Sequence, residues 1–326
     1  MLTKYAYPKC ANTFRNWCLS NSAYEKIYYG LGEPHTFDVT LRDGLQALPK
    51  DKHTDYMTSD KLKMYYNILF NYKPTNIEIG SIVSEKVLSI FKDTLDLHNT
   101  ICFNKKNHIF DEDLPNNYLV IPNQDKLKTV INNPEINHLS FITSFSNSFQ
   151  KKNNKMNLEE SDKDIKAMLY ELDNNKHRTI APVIKLYVSC FNECPIEGKI
   201  ESDFIINRLV NLNTMNVDKI CLSDTCGTLT VKDLEYILDA CSYFGLFPTN
   251  KLSLHLHYKK EKEDEVEKLI HKALDYKITE FDVSSLDSGG CSVTMDTNKL
   301  NSNLTYELYY ISLCNYIVKK ANNVSI

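Results

Sequence analysis

The segment Leu252-Ser253-Leu254-His255-Leu256-His257 carries two imidazoles two residues apart, and in an extended strand that spacing puts both on one face. Ser253, His255 and His257 then point one way and the leucines the other. Two neutral imidazoles with an oxygen ligand suit a divalent metal with open positions; the plainer alternative is one histidine hydrogen-bonded in a core and the other exposed. Asp43 is a carboxylate that could complete the set. Its neighbour Arg42 offers a permanent cation with fixed donors able to stabilise an enolate or a carboxylate, against the plainer reading of a surface ion pair of little energetic weight. Glu78 and Asp224 could orient ligands, act as general bases or merely cap loops. Cys291, in Ser288-Gly289-Gly290-Cys291, stands on a segment flexible enough to fold over a site, or is a loop thiol without a role.

Elements that could bring these residues together are legible in the patterning. From His35 onward, short β-branched or aliphatic runs alternate with longer amphipathic segments, as in repeated βα units. The runs predict strands over His35–Thr40, Asn76–Gly80, Tyr118–Pro122, His138–Thr143, Ile180–Cys190, Lys219–Asp224, Leu252–His257 and Glu280–Ser284. Helices are predicted near Asp55–Asn71, Ser84–Leu97, Gln124–Asn132, Leu158–Asn174, Glu201–Met215, Val231–Phe244, Glu261–Asp275 and Thr305–Lys319. Strict alternation on this scale predicts one closed (β/α)8 TIM barrel over residues 35–326, preceded by an N-terminal extension, 1–34. Lys151–Lys155 reads as a polar surface loop. In such a barrel the chemistry gathers where strands end, and Arg42, Asp43, Glu78, Asp224, His255 and His257 all fall at or near predicted strand ends.

Bulk composition narrows the function. The 326 residues are 42% hydrophobic and 25% charged with a formal net charge of −4; this is the balance of a globular protein without the basic field that gripping nucleic acid requires. No stretch approaches the ~18 apolar residues of a membrane-spanning helix, so neither nucleic acid nor membrane is an expected partner. Ten cysteines lie scattered without the even spacing of a secreted disulfide scaffold, and they read as reduced thiols, small hydrophobes for the most part. Cys190 and Cys194 form a Cys-x3-Cys pair, but without a second pair they make no structural zinc site. No secretory signal precedes the barrel pattern, and cytoplasmic residence is the expectation.

Taken together the motifs resemble those of the hydroxymethylglutaryl-coenzyme A lyases, within the larger group of metal-dependent barrel lyases, aldolases and Claisen-type synthases. The resemblance rests on Arg42-Asp43-Gly44-Leu45-Gln46, on Tyr187-Val188-Ser189-Cys190 with Cys194-Pro195-Ile196-Glu197-Gly198-Lys199-Ile200, on Ser223-Asp224-Thr225-Cys226-Gly227, on His255-Leu256-His257 and on Gly289-Gly290-Cys291. It implies a divalent cation, Mg2+ or Mn2+, held by Asp43, His255, His257 and Asn303, with Asn301 as the alternative. It further implies retro-aldol or retro-Claisen cleavage of a 3-hydroxy-3-methylglutaryl-CoA-like substrate to acetyl-CoA and acetoacetate. Arg42 and Gln46 would bind substrate, Arg42 would stabilise the enolate, Cys291 would protonate the leaving carbon, and Glu78 and Asp224 would support the network. Tyr258 follows His257 where the family has a carboxylate, and Ser292 follows Cys291 where it has proline. The tail that in the family covers the coenzyme A end of the site is expected to be short, since the chain ends at Ile326. The expected partner is an acyl-CoA or hydroxy-acid substrate, with a homodimer left open. The first motif is also similar to that of oxo-acid aldolases, so cleavage of a free oxo-acid is the alternative, and a barrel without catalysis acting as a binding protein is the third reading.

Overall fold

A computed structural model of the chain describes residues 8–107, 114–248, 251–290, 292–295 and 300–324. Eight parallel strands recur along it: β1 (His35–Asp38), β2 (Asn76–Ser81), β3 (Asn116–Val120), β4 (His138–Ser144), β5 (Val183–Ser189), β6 (Lys219–Asp224), β7 (Leu252–Tyr258) and β8 (Glu280–Val283). Neighbours pair in chain order, and β1 lies beside β8 from His35↔Glu280 to Asp38↔Val283. Phe281 pairs with Leu254, joining β8 to β7 and closing the sheet into the (β/α)8 barrel that the alternation predicts.

Helices return the chain between strands, and local chemistry starts several of them where expected. Asn157 accepts from Glu160 N at 2.9 Å while the Glu160 carboxylate accepts from Asn157 N at 2.7 Å, a reciprocal cap for Leu158–Asp173. Thr230 accepts from Asp233 N at 3.1 Å to start Val231–Tyr243. No helix among the described residues is long and apolar enough to cross a membrane.

Three readings of the sequence are corrected. Lys151–Lys155 is largely helical: Asn147–Asn154 forms a helix capped by Ser146, with Lys155 left-handed at its end. It lacks an apolar repeat because Phe149 and Gln150 alone are buried, its lysines and asparagines being exposed or half-buried. The helix predicted over Ser84–Leu97 begins only at Thr94 and runs to Lys106. Its supposed first half is a turn, tied down where buried Lys61 donates to the Ile90 carbonyl and to Asp93. Gln124–Asn132 shortens to Gln124–Leu127. Ahead of the barrel, Ala11–Leu19 and Ser22–Leu31 are helices that the sequence reading did not anticipate. Phe14 packs against Tyr28 and against Tyr310 of the last helix, Tyr306–Val324, with ring centroids 5.9 and 5.8 Å apart.

The barrel's own interior is unusually polar. Apolar side chains of alternating strand positions, such as Leu254 and Leu256, pack outward against the helices and are almost fully buried. Inward positions, which aliphatic residues usually fill, hold Glu78, Lys185, Tyr187, Ser253, His255 and Asp282, all buried.

How β1 ends decides what reaches the mouth. The Asp38 carboxylate turns back on the chain, accepting from Thr40 N, Thr40 Oγ1 and Tyr306 OH, each at 2.9 Å. The backbone then makes a wide turn in which Gly44 N reaches Val39 O at 3.1 Å, swinging Arg42 and Asp43 inward. Burial outweighs these hydrogen bonds and raises the Asp38 pKa to about 7. A carboxyl whose pKa is higher folded than unfolded binds more protons in the native state, so its contribution falls as pH rises from about 4 to about 7. Wild-type stability is therefore expected to lose on the order of 4 kcal/mol to this group across that window. Denaturant unfolding at about pH 5 and about pH 8 checks this: Asp38→Asn should gain on wild type as pH rises, and a constant difference between the two would refute it.

Candidate active site

Arg42 is fixed from two sides: Nε donates to Glu78 on β2, and a terminal nitrogen donates to Asp43 Oδ1 at 2.6 Å. Its guanidinium lies 5.1 Å from the centre of the Tyr187 ring. Burial works against its charge, but Glu78 and Asp43 more than offset this and keep it a cation. Burial likewise works to raise the Asp43 carboxyl, yet Arg42 and the facing imidazoles hold it well below the usual carboxylate range.

Both imidazoles of β7 point into the mouth, and hydrogen-bond chemistry assigns their protons. His255 Nδ1 lies 3.0 Å from Asp282 Oδ2, and His257 Nδ1 lies 3.1 Å from the Asp224 carbonyl. Both partners can only accept, so each neutral ring carries its proton on Nδ1 and turns an Nε2 lone pair the other way. The two Nε2 atoms are 3.2 Å apart, and Asp43 Oδ2 is 3.3 Å from that of His257 and 3.8 Å from that of His255. Gly290 N donates to Asp43 Oδ2 at 2.8 Å. Three acceptor atoms thus face one another, all within 4.8 Å and all buried. This donor set fits a divalent cation: two imidazole nitrogens and one carboxylate oxygen are ligands for which such an ion supplies the missing positive charge.

The remaining residues singled out by sequence fall around this centre. Asn303 pairs with His257 in a short antiparallel bridge and donates from its side chain to Ser288 O at 2.9 Å. A Cβ on Gly289 would come within 2.5 Å of the Asn303 side chain, so only glycine lets the loop seat this closely. Asn301 instead donates to Cys226 O at 2.7 Å, beneath the β6 loop. Asp224 contributes its carbonyl to His257, while its carboxylate accepts from Thr228 N and Leu229 N at 3.1 and 3.0 Å and closes that loop. Burial raises its pKa to about 6. Glu78 Oε2 takes Arg42, and Oε1 is buried without a hydrogen-bond partner among the described residues. Gln46 lines the cavity, and its carbonyl accepts from Ser292 Oγ at 2.7 Å, seating the loop that follows β8. Cys291 lies outside the described residues. Tyr258, where the family has a carboxylate, is buried and pairs with Ser302.

Arg42, Asp43, Gln46, His255 and His257 line a cavity of about 390 Å3, together with Ile142, Val120, Val83 and Phe149 and with Lys126, Lys152 and Lys155. Lys152 also donates to Thr294 O at 3.0 Å and so ties helix Asn147–Asn154 to the loop after β8. Sequence reasoning overlooked Asp282 and Lys185, and gave Tyr187 no role beyond its place in a motif. Their signal was available: charged or hydroxyl-bearing residues at the inward parity of runs otherwise suited to buried strands.

A closed barrel with two histidines and an aspartate converging at the C-terminal ends of its strands, beside a buried arginine, has the architecture of the metal-dependent barrel enzymes. The sequence profile described as HMGL-like matches residues 33–259, and the chain belongs to that family. It is similar to hydroxymethylglutaryl-CoA lyase YngG of Bacillus subtilis, being 27% identical over 255 residues that make up 78% of this chain and 77% of that protein. Its fold is similar to that of the Bacillus subtilis HMG-CoA lyase, with a TM-score of 0.69 at 22% identity, covering 89% of this chain and 92% of that one. The HMG-CoA lyase of Acinetobacter baumannii, solved in complex with coenzyme A and 3-methylmalate, gives a TM-score of 0.65 at 19% identity, covering 89% and 90%. Membership of the family and the relative's likeness support a lyase, and the family's dependence on a divalent metal agrees with the Asp43, His255 and His257 cluster.

Calorimetric titration of metal-stripped protein with Mn2+ is expected to give one tight site that disappears in the His255→Ala/His257→Ala double variant. Acidity should weaken it. Burial by itself would lower the His257 pKa, but the Asp43 hydrogen bond and charge carry it above its ordinary value. Proton and cation compete for the same Nε2, so affinity should fall as pH drops through that raised value, by up to about tenfold per pH unit. Equal affinity at about pH 5 and about pH 8 would contradict the assignment of His257 as a ligand.

Proposed function

We propose that this chain is a metal-dependent carbon–carbon lyase that cleaves 3-hydroxy-3-methylglutaryl-CoA, or a closely related 3-hydroxyacyl thioester, to acetyl-CoA and acetoacetate. The observation that carries the reading is the convergence of three buried acceptors, from Asp43, His255 and His257, beside the buried cation of Arg42. Asp43, His255, His257 and Asn303 would hold Mg2+ or Mn2+. When bound, that ion acidifies the substrate hydroxyl and neutralises charge on the oxygens beside it.

The chain's own residues supply the rest. The hydroxyl proton leaves to a base, the carbon–carbon bond breaks, and its electron pair moves onto the thioester as an enolate. Arg42, held rigidly by Glu78 and Asp43, stabilises the developing oxyanion without reorganising. Cys291 then delivers a proton to the enolate carbon, giving the acetyl thioester. Asp224 keeps the β6 loop closed and His257 oriented through its two hydrogen-bonded roles. Gln46 contacts substrate at the cavity wall. Charge favours a thioester over a free oxo-acid, because Lys126, Lys152 and Lys155 are among the cavity's lining, cations suited to the phosphates of a carrier.

Release of acetyl-CoA from 3-hydroxy-3-methylglutaryl-CoA, measured with Mg2+ or Mn2+ present and after chelation, tests the proposal. Activity should vanish with the metal. Arg42→Ala should lower kcat by about 100- to 1000-fold while one Mn2+ still binds. Fully metallated protein that releases pyruvate from a hydroxy-oxo-acid, and nothing from the thioester, would instead establish the aldolase alternative.

A further inference from the structure

The proposed chemistry uses the Nε2 side of His255 and leaves open what stands behind the ring. There the barrel axis holds an ion pair. Lys185 of β5 is 1% exposed, and its ammonium donates to Asp282 Oδ1 on β8. Asp282 Oδ2 accepts from Tyr187 OH at 2.9 Å and from His255 Nδ1 at 3.0 Å. Tyr187 OH is also 3.4 Å from Glu78 Oε2, so a single phenol proton lies between two carboxylates and goes to the nearer. Lys185 is itself pinned: Nζ sits 3.3 Å from the Phe37 ring centre and 4.9 Å from that of Tyr187, with Glu280 Oε1 at 3.6 Å.

A barrel interior is well filled by aliphatic side chains, and replacing a buried ion pair with them is commonly neutral or stabilising. Stability alone therefore does not account for Lys185 and Asp282. Orientation does. Among the described residues Asp282 is met by donors alone, Lys185 at Oδ1 and Tyr187, His255 and, at 3.8 Å, the Cys221 thiol at Oδ2, and each of its oxygens is held by a residue of β5. We propose that Lys185 and Tyr187 are positioning residues that clamp Asp282, so that it holds His255 as the Nδ1–H tautomer with Nε2 aimed at Asp43 and His257. A carboxylate held in this way presents His255 with an acceptor and so keeps the proton on Nδ1, which is how outer carboxylates orient metal-binding histidines. His257 is oriented independently, through the Asp224 carbonyl, and serves as an internal control. The consequence for cation binding rests on the metal-site reading above; the tautomer is a property of the chain alone.

Long-range 1H–15N correlation spectra of metal-free, 15N-histidine-labelled protein at about pH 8, where imidazoles are mostly neutral, read the tautomer directly, with His255 assigned by its loss in His255→Gln. The wild type should show His255 protonated on Nδ1. In Lys185→Met and Asp282→Asn a fraction of Nε2–H should appear at His255 with His257 unchanged, and Lys185→Arg should return the Nδ1–H form. Tyr187→Phe, which removes one donor and no charge, should move His255 in the same direction by less, and it carries the test if the charge variants fail to fold. A wild-type His255 protonated on Nε2, or folded variants that leave its tautomer unmoved, would overturn the proposal. Mn2+ titration of the same set should show affinity reduced about 10- to 100-fold in Lys185→Met and Asp282→Asn. Wild type with the stated tautomer but no Mn2+ binding would refute the metal reading and leave the positioning role standing.

Discussion

Two imidazole lone pairs 3.2 Å apart, with a carboxylate oxygen 3.3 Å from one and 3.8 Å from the other, repel one another unless positive charge stands between them. Low dielectric around buried groups makes that repulsion strong. Much of the barrel's upper half answers to this constraint. Each acceptor is held against its neighbours by a separate partner: Asp43 by Arg42 and Gly290 N, His255 by Asp282, and His257 by the Asp224 carbonyl. None can rotate away without leaving a buried polar group unpaired, which is costly.

The same constraint reaches into the loops. Thr40 Oγ1 accepts from Ser285 N at 2.9 Å and donates to Asp38, linking the end of β1 to the end of β8. Gly227 is left-handed, and a Cβ there would come within 2.9 Å of both the Asn301 side chain and the His257 carbonyl. Gly289 leaves room for Asn303 in the same fashion. Backbone permissiveness at these two positions lets the loops after β6 and β8 approach β7 closely enough to crowd their polar atoms around it.

Charge is distributed in layers along the axis. Arg42 faces Asp43 and Glu78 near the mouth, Lys185 faces Asp282 below them, and Lys219 approaches Glu280 at 3.4 Å near the base. Tyr187 spans the upper two layers, touching Arg42 through its ring and Asp282 through its hydroxyl. Such a core is rigid because each charge is compensated only in one arrangement, and rigidity of this kind is what electrostatic stabilisation of a developing oxyanion requires.

Sequence alone determined the features that depend on short-range periodicity. The alternation of strand and helix patterns favoured a closed barrel over an open sheet, and residue spacing of two sufficed to put His255 and His257 on one face beside inward Ser253, since side-chain direction in a strand follows local geometry. The placing of Arg42-Asp43 at the end of the first strand was equally local. Tertiary structure decided the pairings. Arg42 meets Glu78 across 36 residues, Lys185 meets Asp282 across 97, and Asn303 rather than Asn301 lies opposite His257 through a two-residue bridge. It also decided that Asn147–Asn154 is a helix, because a lone buried Phe149 and a serine cap leave too weak a repeat to read in advance. Inward parity can be read from a strand, but which inward residues share a layer depends on the stagger of neighbouring strands, and that is set only when the barrel closes.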